Sequence, residues 1–253
     1  MLPTLGISAE LTHTMVTTNL IESPNSVAVR GKPTRLMRCH YFDGTHPKEN
    51  SSMKSLTRSL LLALALTTGA WVQAQTFEQS LTAYERKDYR TAFTGFKKLA
   101  EQGQALAQYN LGQMYRDGHG VPKDDQQAVA WYRKAAEQGV ADAQYNLGVM
   151  YANGRGVAKD EQLAVAWYRK AAEQGQAQAQ FNLGGMYELG RGVPKDRQMV
   201  YFWLLLASAQ GHQNAAKVRD IVAPDLSPEQ RAVAQAAARN WKPQTAAQSS
   251  SAK

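Results

Sequence analysis

The sequence is almost without cysteine and has no apolar run long enough to cross a membrane. Its one cysteine is Cys39, so no disulfide bond can form within the chain and stability must come from packing. The most apolar stretch, residues 59–72, is shorter than the roughly 20 residues that a membrane-spanning helix needs. Disulfide scaffolds and membrane spans are therefore disfavoured.

Residues that carry enzyme chemistry are also scarce. After residue 74 the histidines are His119 and His212, and no H-E-x-x-H or G-x-S-x-G pattern accompanies them. The carboxylate pairs Asp124-Asp125 and Asp160-Glu161 precede apolar periodic segments, where helix N-termini stabilise negative charge. We therefore predict no catalytic residues, no cofactor and no metal site.

The charge balance gives no reason to expect nucleic acid as a partner. The whole chain has a formal net charge of +8, but residues 75–253 hold 22 Lys+Arg against 17 Asp+Glu, a net of +5. No basic run or patch of interleaved aromatic and basic residues occurs there, so binding to DNA or RNA is not expected.

The segment from Met53 to Ala74 has the three parts of a secretory signal peptide. The basic residues of MKSLTR precede the apolar run, and Val72-Gln73-Ala74 forms a small-x-Ala cleavage site before Gln75. No cysteine follows this site, so lipid attachment there is excluded. We expect residues 1–52 to be either an upstream extension from a misassigned start codon or a disordered leader, and the mature protein to be periplasmic or secreted.

The dominant feature of the chain is an internal repeat of 36 residues. The phrase AVAWYRKAAEQG occupies Ala128 to Gly139 and returns unchanged from Ala164 to Gly175. Residues 105–140 and 141–176 are identical at 27 of 36 positions, and residues 177–212 continue the pattern. Three tandem structural units follow from this period.

Each unit predicts two amphipathic helices, here called A and B, because apolar residues recur with helical spacing in both halves. Helix A of the first unit carries Gly112 among larger apolar residues, which predicts close packing. Helix B carries Ala128, Trp131 and Tyr132 on its apolar face and begins after Asp124, a preferred N-cap residue. A glycine loop joins the two helices, and a Q-G pair ends helix B.

The sequences on either side of the three repeats indicate capping helices. Residues 75–104 resemble a helix pair with a short turn, and residues 213–242 are expected to form C-terminal capping helices. Helix B of the third unit, MVYFWLLLASAQG, is apolar on all sides and needs a cover, which the helix after the capping box at Ser227 can supply. Residues 243–253 are expected to be a disordered tail.

The motifs Y-N-L-G-x-M-Y, G-x-G-V-x-K-D and A-x-x-W-Y-x-K-A-A-x-Q-G resemble the Sel-one-like repeat family, which is related to tetratricopeptide repeats. The resemblance implies an all-α, right-handed superhelical solenoid of antiparallel helix pairs. Some secreted, cysteine-rich members of that family bind or hydrolyse β-lactams, but they carry disulfides that this chain lacks.

Comparing the three units separates constant from variable positions of helix A. Positions 2, 9, 12 and 13 differ in every unit and fall within an arc of about 100°. In tetratricopeptide relatives this face lines a groove that holds peptides, and position 5 contributes to it. The predicted peptide groove consists of Leu106, Tyr109, Gln113, Arg116, Asp142, Tyr145, Val149, Ala152, Gln178, Phe181, Gly185 and Glu188.

The constant asparagines at position 6 have two possible roles. Asn110, Asn146 and Asn182 could bond a ligand backbone or make structural bonds within the repeats. The expected function is an exported scaffold for protein or peptide partners in the cell envelope. The alternatives are a cell-wall or β-lactam-related hydrolase and a secreted factor acting on a host or rival cell.

Overall fold

The computed structural model describes residues 76–244, which contain ten α-helices and no strand. The helices are α1 (76–85), α2 (Tyr89–Glu101), α3 (Ala105–Asp117), α4 (Asp125–Glu137), α5 (Ala141–Asn153), α6 (Glu161–Glu173), α7 (Ala177–Leu189), α8 (Arg197–Ala209), α9 (Gln213–Val222) and α10 (Pro228–Asn240), with a 3₁₀ turn at Ala223–Asp225. The predicted signal peptide, the segment before it, Cys39 and residues 245–253 lie outside the described residues.

Each repeat is one helix pair, and the pairs stack in chain order. Helices A and B are α3 and α4 in repeat 1, α5 and α6 in repeat 2, and α7 and α8 in repeat 3. Each helix from α2 to α8 packs mainly against its neighbours in sequence, both within a pair and between pairs. The predicted all-α solenoid of helix pairs is therefore confirmed.

The predicted helix ends are confirmed at both helices of the repeat. Asp124 accepts hydrogen bonds from the backbone N–H groups of Gln126 and Gln127 and so begins α4, as Asp160 does for α6. Helix α3 ends at Gly118, which adopts the left-handed conformation with φ 75°. These caps make every repeat begin and end its helices at the same positions.

The glycine loop between the helices also joins neighbouring repeats. A Cβ on Gly156 would overlap the backbone carbonyl of Asp125 in the preceding repeat, so only glycine allows this approach. Beside it, Arg155 Nη2 lies 3.0 Å from Asp125 Oδ1. The loop therefore fixes the position of each repeat on the one before it.

The first and last repeats are covered by different structures. At the N-terminal end, Arg155 and Asp125 are replaced by His119 and Tyr89, whose rings stack with centroids 4.1 Å apart. At the C-terminal end, α9 and α10 both pack against the apolar helix α8. Its side chains Tyr201, Phe202 and Leu205 belong to one apolar cluster with Ala234 of α10, which thus supplies the predicted cover.

The C-terminal segment of the chain folds back onto repeat 2. After α10 ends, the backbone N–H of Gln244 donates to the carbonyl of Glu173 at the last residue of α6, at 2.8 Å. A Cβ built on Gly175 would lie 3.4 Å from Pro243 Cγ and 3.7 Å from Trp241 Cη2. Pro243 and Gln244, expected from the sequence to belong to a disordered tail, therefore contact the end of a B helix.

No helix within residues 76–244 is both long enough and apolar enough to span a membrane.

Candidate functional site

The candidate binding surface is the side of the A helices formed by positions 2, 5, 9 and 12, called here the A face. In repeats 1 and 2 this surface is accessible to a partner. Leu106 is 53% exposed and Asp142 is exposed, and the side chains at the other six positions are half-buried. Those six are Tyr109, Gln113, Arg116, Tyr145, Val149 and Ala152.

The two tyrosines of the A face are held in fixed positions. The Tyr109 hydroxyl accepts a hydrogen bond from Gln113 Nε2 at 2.8 Å, and its ring lies 6.0 Å from the ring of Tyr132 on α4. Burial, opposed by a hydrogen bond with Asn182, raises the pKa of Tyr145 to about 12. Both rings therefore offer rigid, neutral aromatic surface at physiological pH, which suits peptide binding.

Charges of both signs border these rings. Arg116 makes two hydrogen bonds of 2.8 Å with the carboxylate of Asp117, its neighbour in sequence, and this pairing raises the pKa of the guanidinium. Asp142 stands exposed at the start of α5. The surface therefore combines an apolar side chain, aromatic rings and opposite charges.

The prediction that Phe181, at position 5 of repeat 3, lines the peptide groove is wrong. Phe181 is fully buried, in one cluster with Val200 and Leu204 of α8 and Val218 of α9. Its ring stacks on His212, with centroids 4.5 Å apart. Helix α9 follows repeat 3 directly and covers the ring, whereas a further A helix would have left it half-open.

The other predicted groove residues of repeat 3 are also occupied by contacts within the chain. Gly185 is buried. Gln178 Oε1 lies 3.0 Å from His212 Nε2, and the mostly buried Glu188 carboxylate lies 3.9 Å from Arg197. Because Phe181 and Gly185 are buried, the accessible aromatic part of the predicted groove is confined to repeats 1 and 2.

The constant asparagines make bonds within the chain, as the structural one of the two roles left open by the sequence predicts. Asn110 donates to the Leu106 carbonyl of its own helix at 2.8 Å. Asn146 bonds the hydroxyl of Tyr109 in the preceding repeat, and Asn182 likewise bonds Tyr145. In repeats 2 and 3, position 6 thus links helix A to the previous A helix.

A buried glutamine network escaped prediction from the sequence. Gln144 is 2% exposed; its Nε2 donates to the Ala136 carbonyl of the preceding repeat at 3.0 Å, and its Oε1 accepts from Gln174 Nε2 at 2.7 Å. Gln108 with Gln138, and Gln180 with Gln210, repeat this geometry. The only signal was that these glutamines are constant in all three units.

The opposite side, formed by the B helices, carries a row of exposed basic residues over aromatic rings. Lys134 Nζ lies 3.9 Å from the ring centroid of Trp131, and Lys170 Nζ lies 4.3 Å from that of Trp167. Arg133 donates to the hydroxyl of Tyr151 in the next repeat at 2.8 Å. Arg133 thus links repeats 1 and 2, while the two lysines cover tryptophan rings of their own helices.

The two histidines within residues 76–244 have structural partners. His119 stacks on Tyr89 and its Nδ1 lies 3.0 Å from the Tyr84 hydroxyl, while His212 caps α9 by accepting from the Ala215 N–H. Within residues 76–244, no group of three or more His, Cys, Asp or Glu side chains is arranged to hold a metal ion.

Known proteins match this architecture. The family model described as Sel1 repeat matches residues 105–140, 141–176 and 177–212. The crystal structure of a Sel1 repeat protein from Oxalobacter formigenes is 36% identical with a TM-score of 0.56, over 57% of this chain and 60% of that one. A protective antigen present in uropathogenic Escherichia coli strains, displaying an SLR fold, is 33% identical with a TM-score of 0.62, over 72% of this chain and 41% of that one.

The chain thus spans less than two thirds of the length of each of these two structures. None of the curated proteins matches it.

Proposed function

We propose that the three Sel1 repeats of residues 105–212 make this chain a non-catalytic scaffold that holds a protein or peptide partner on the A face of repeats 1 and 2. Sel1 repeats generally serve as scaffolds for protein–protein interactions. The observation that carries the finer proposal is the accessible surface between Leu106 and Ala152, where residues that vary between repeats surround two fixed tyrosines.

The chemistry of this surface indicates the kind of partner. Leu106 offers an exposed apolar contact, Tyr109 and Tyr145 offer rigid rings, and Arg116 and Asp142 offer opposite charges. A partner segment with apolar side chains and charges of both signs would complement all three. Rigid aromatic surface contributes binding energy at low entropic cost, so the tyrosines should anchor such a segment.

The proposed place of action is the cell envelope or the extracellular space. This rests on the sequence from Met53 to Ala74, which has the order of a signal peptide. Intact mass of the protein recovered from the periplasm of a Gram-negative host tests it. A species that begins at Gln75 supports export, and an exported species that retains residues 1–52 contradicts the proposed start and cleavage sites.

Affinity capture from the envelope fraction, with residues 75–253 as bait, tests the binding surface. The variants Leu106→Glu and Asp142→Lys change exposed A-face side chains, so they should leave the fold intact and weaken partner capture at least tenfold. The matched controls are Ala130→Glu and Gln126→Lys, which change exposed side chains of α4 in the same chemical sense. Equal capture by all four variants would contradict the A-face proposal.

The same preparation tests the catalytic alternative. Hydrolysis of nitrocefin that persists through gel filtration with the protein would favour the β-lactam-related hydrolase, and its absence together with partner capture favours the scaffold.

A further inference from the structure

The residue before α9 is a histidine that covers two predicted groove residues of repeat 3. The ring of His212 stacks on Phe181, with centroids 4.5 Å apart, and its Nε2 lies 3.0 Å from Gln178 Oε1. Gln178 and Phe181 stand at positions 2 and 5 of helix A, which belong to the A face in repeats 1 and 2. The contact between α9 and α7 therefore closes this surface in repeat 3.

The hydrogen bonds of His212 require the neutral imidazole with its proton on Nε2. Nδ1 accepts from the backbone N–H of Ala215 at 3.2 Å and so caps α9, and only an unprotonated ring nitrogen can accept. Nε2 then carries the proton that it donates to Gln178 Oε1. The neutral ring thus caps α9 and also ties it to α7.

Protonation of Nδ1 opposes this arrangement in two ways. It places a second donor against the Ala215 N–H, which keeps only the His212 carbonyl, at 3.0 Å, as an acceptor. It also places a positive charge at the N-terminus of α9, where the helix dipole favours negative charge. Because α9 has ten residues and buries only Ala215, Val218 and Val222, its docking should be sensitive to such a change.

The surroundings of His212 favour its neutral form. Burial lowers the pKa of the imidazole below its ordinary 6.5, and a backbone hydrogen bond partly opposes this shift. Since the pKa is lower in the docked state than in the undocked one, docking of α9 weakens as the pH falls below 6.5. The loss is complete once the pH has passed the lowered pKa.

Charged side chains near the ring do not account for this shift. Those on the three helices around it are Glu188 of α7, Arg197 of α8, and Lys217, Arg219 and Asp220 of α9. Glu188 and Arg197 lie 3.9 Å apart at the far ends of their helices, Arg219 pairs with Asp220, and Lys217 is exposed. None of the five contributes to the pKa shift of His212.

Helix α7 has the same kind of cap, formed by a residue that does not titrate. Gln176 stands at the equivalent position before α7, and its side chain accepts from the Ala179 N–H. His212 follows it by one period of 36 residues. The chain thus places a titratable cap only before the helix that covers Phe181, as far as the repeats and α9 are concerned.

We propose that protonation of His212 shifts α9 towards an undocked state in which Gln178 and Phe181 join the A face. The A face then holds its partner across three repeats at mildly acidic pH and across two at neutral pH. The consequence for partner binding rests on the proposed function. The opening step involves this chain alone and is measured without a partner.

Hydrogen exchange of the backbone amides of the full chain tests the opening step, at about pH 7.5 and about pH 5.5, with correction for the intrinsic exchange rates. In wild type, α9 should lose at least threefold protection at the lower pH, while α5 serves as the unchanged reference. His212→Gln, which copies the cap formed by Gln176, should keep α9 protected at both pH values. His212→Lys carries the charge and lacks the acceptor at both, so its α9 should be less protected throughout.

His119→Gln is the matched control for the other histidine of residues 76–244. His119 stacks on Tyr89 at the N-terminal end of the repeats, so this variant should lose α9 protection on acidification as wild type does. NMR titration of His212 should give a pKa below 6.5. A pKa at or above 6.5, or equal loss of α9 protection in wild type and His212→Gln, would overturn the proposal.

The effect on the A face is tested by comparing the two His212 variants at one neutral pH, which removes any effect of pH on the partner. His212→Lys should bind the protein identified by the envelope capture at least threefold more tightly than His212→Gln. If Leu106→Glu weakens capture but these two variants bind equally, repeat 3 does not join the A face and this inference is wrong. If Leu106→Glu has no effect, the proposed function fails, and the exchange experiment still decides the opening step.

Discussion

Gly112 of α3 lies directly against the ring of Tyr132 on α4, so that a Cβ on the glycine would stand 2.8 Å from the tyrosine Cδ1 and Cε1 atoms. Gly148 and Tyr168 repeat the relationship at 2.7 and 2.8 Å. In repeat 3 the ring is replaced by Leu204, and a Cβ on Gly184 would meet its nearest atom at 3.7 Å. The glycine is therefore a steric requirement in repeats 1 and 2 alone.

Gly148→Ala should consequently destabilise the protein, whereas Gly184→Ala should be neutral or stabilising. Overpacking typically costs about 1–3 kcal/mol, and replacing a helical glycine by alanine where space allows gains roughly 0.5–1 kcal/mol. Urea unfolding of both variants measures the difference. Equal effects would mean that helices A and B do not approach as closely as the tyrosine contact requires.

The hydroxyl groups of the two buried tyrosines, Tyr132 and Tyr168, should contribute differently to the free energy of unfolding. The Tyr168 hydroxyl bonds Asn182, whereas the Tyr132 hydroxyl is buried with no hydrogen-bond partner. Tyr168→Phe should therefore cost about 0.5–1.5 kcal/mol, and Tyr132→Phe should be neutral or stabilising. Thermal melts of the two single variants decide this, and a larger loss for Tyr132→Phe would show that its hydroxyl has a partner in solution.

Among the aromatic residues of helix B, tyrosine should matter more than tryptophan. Trp167 is half-buried beneath Lys170, while Tyr168 is 2% exposed. Tyr168→Ala should cost about 3–5 kcal/mol of unfolding free energy, as for other buried aromatic residues, and Trp167→Ala should cost less, about 1–3 kcal/mol. Denaturant unfolding monitored by circular dichroism gives both values, and the reverse order would contradict the assigned burial.

The 36-residue period predicted the helix pairs and their caps because every repeat carries the same local sequence signals. Asp124 precedes an apolar periodic segment and Gly118 follows one, and each signal is contained within a few residues. The burial of Phe181 was not predictable in this way. It depends on the position of α9, which the sequence of helix A does not predict.

The glutamine network and the returning C-terminal segment were missed for a related reason. Gln144 is polar, so the sequence indicates a surface residue, yet its side chain donates a hydrogen bond to a carbonyl in the preceding repeat. Pro243 sits in a polar sequence without periodicity, and its contact with Gly175 joins elements far apart in the chain. Both features are set by tertiary packing, which local patterns do not encode.

Replacing Gln144 by leucine should destabilise the stack between repeats 1 and 2. The change removes the bond to the Ala136 carbonyl and the acceptor of Gln174, and an unsatisfied buried polar group costs about 1–3 kcal/mol. Gln127→Leu, at an exposed position of α4, is the control and should change the free energy by less than about 0.5 kcal/mol. Urea titrations that place both variants at the same midpoint would contradict the structural role of the network.

The ion pair between repeats 2 and 3 should make stability depend on pH in the acidic range. Arg191 Nε donates to Glu161 Oε1 at 2.8 Å, and Lys159 Nζ lies 3.0 Å from the same oxygen. The bond from Arg191 first, and that from Lys159 next, lower the pKa of Glu161 below its ordinary 4.5. A lowered folded-state pKa stabilises the fold above the unfolded-state pKa, and this stabilisation is lost as the pH falls through the folded-state value.

The stability difference between wild type and Arg191→Gln should therefore be larger at neutral pH than after acidification below 4.5. Arg133→Gln is the matched control, because Arg133 donates to the Tyr151 hydroxyl at 2.8 Å and not to a carboxylate. Its effect on stability should be nearly the same across this range. NMR titration of the Glu161 carboxyl provides the direct reading, and a pKa that stays unchanged in Arg191→Gln would show that the pair does not persist in solution.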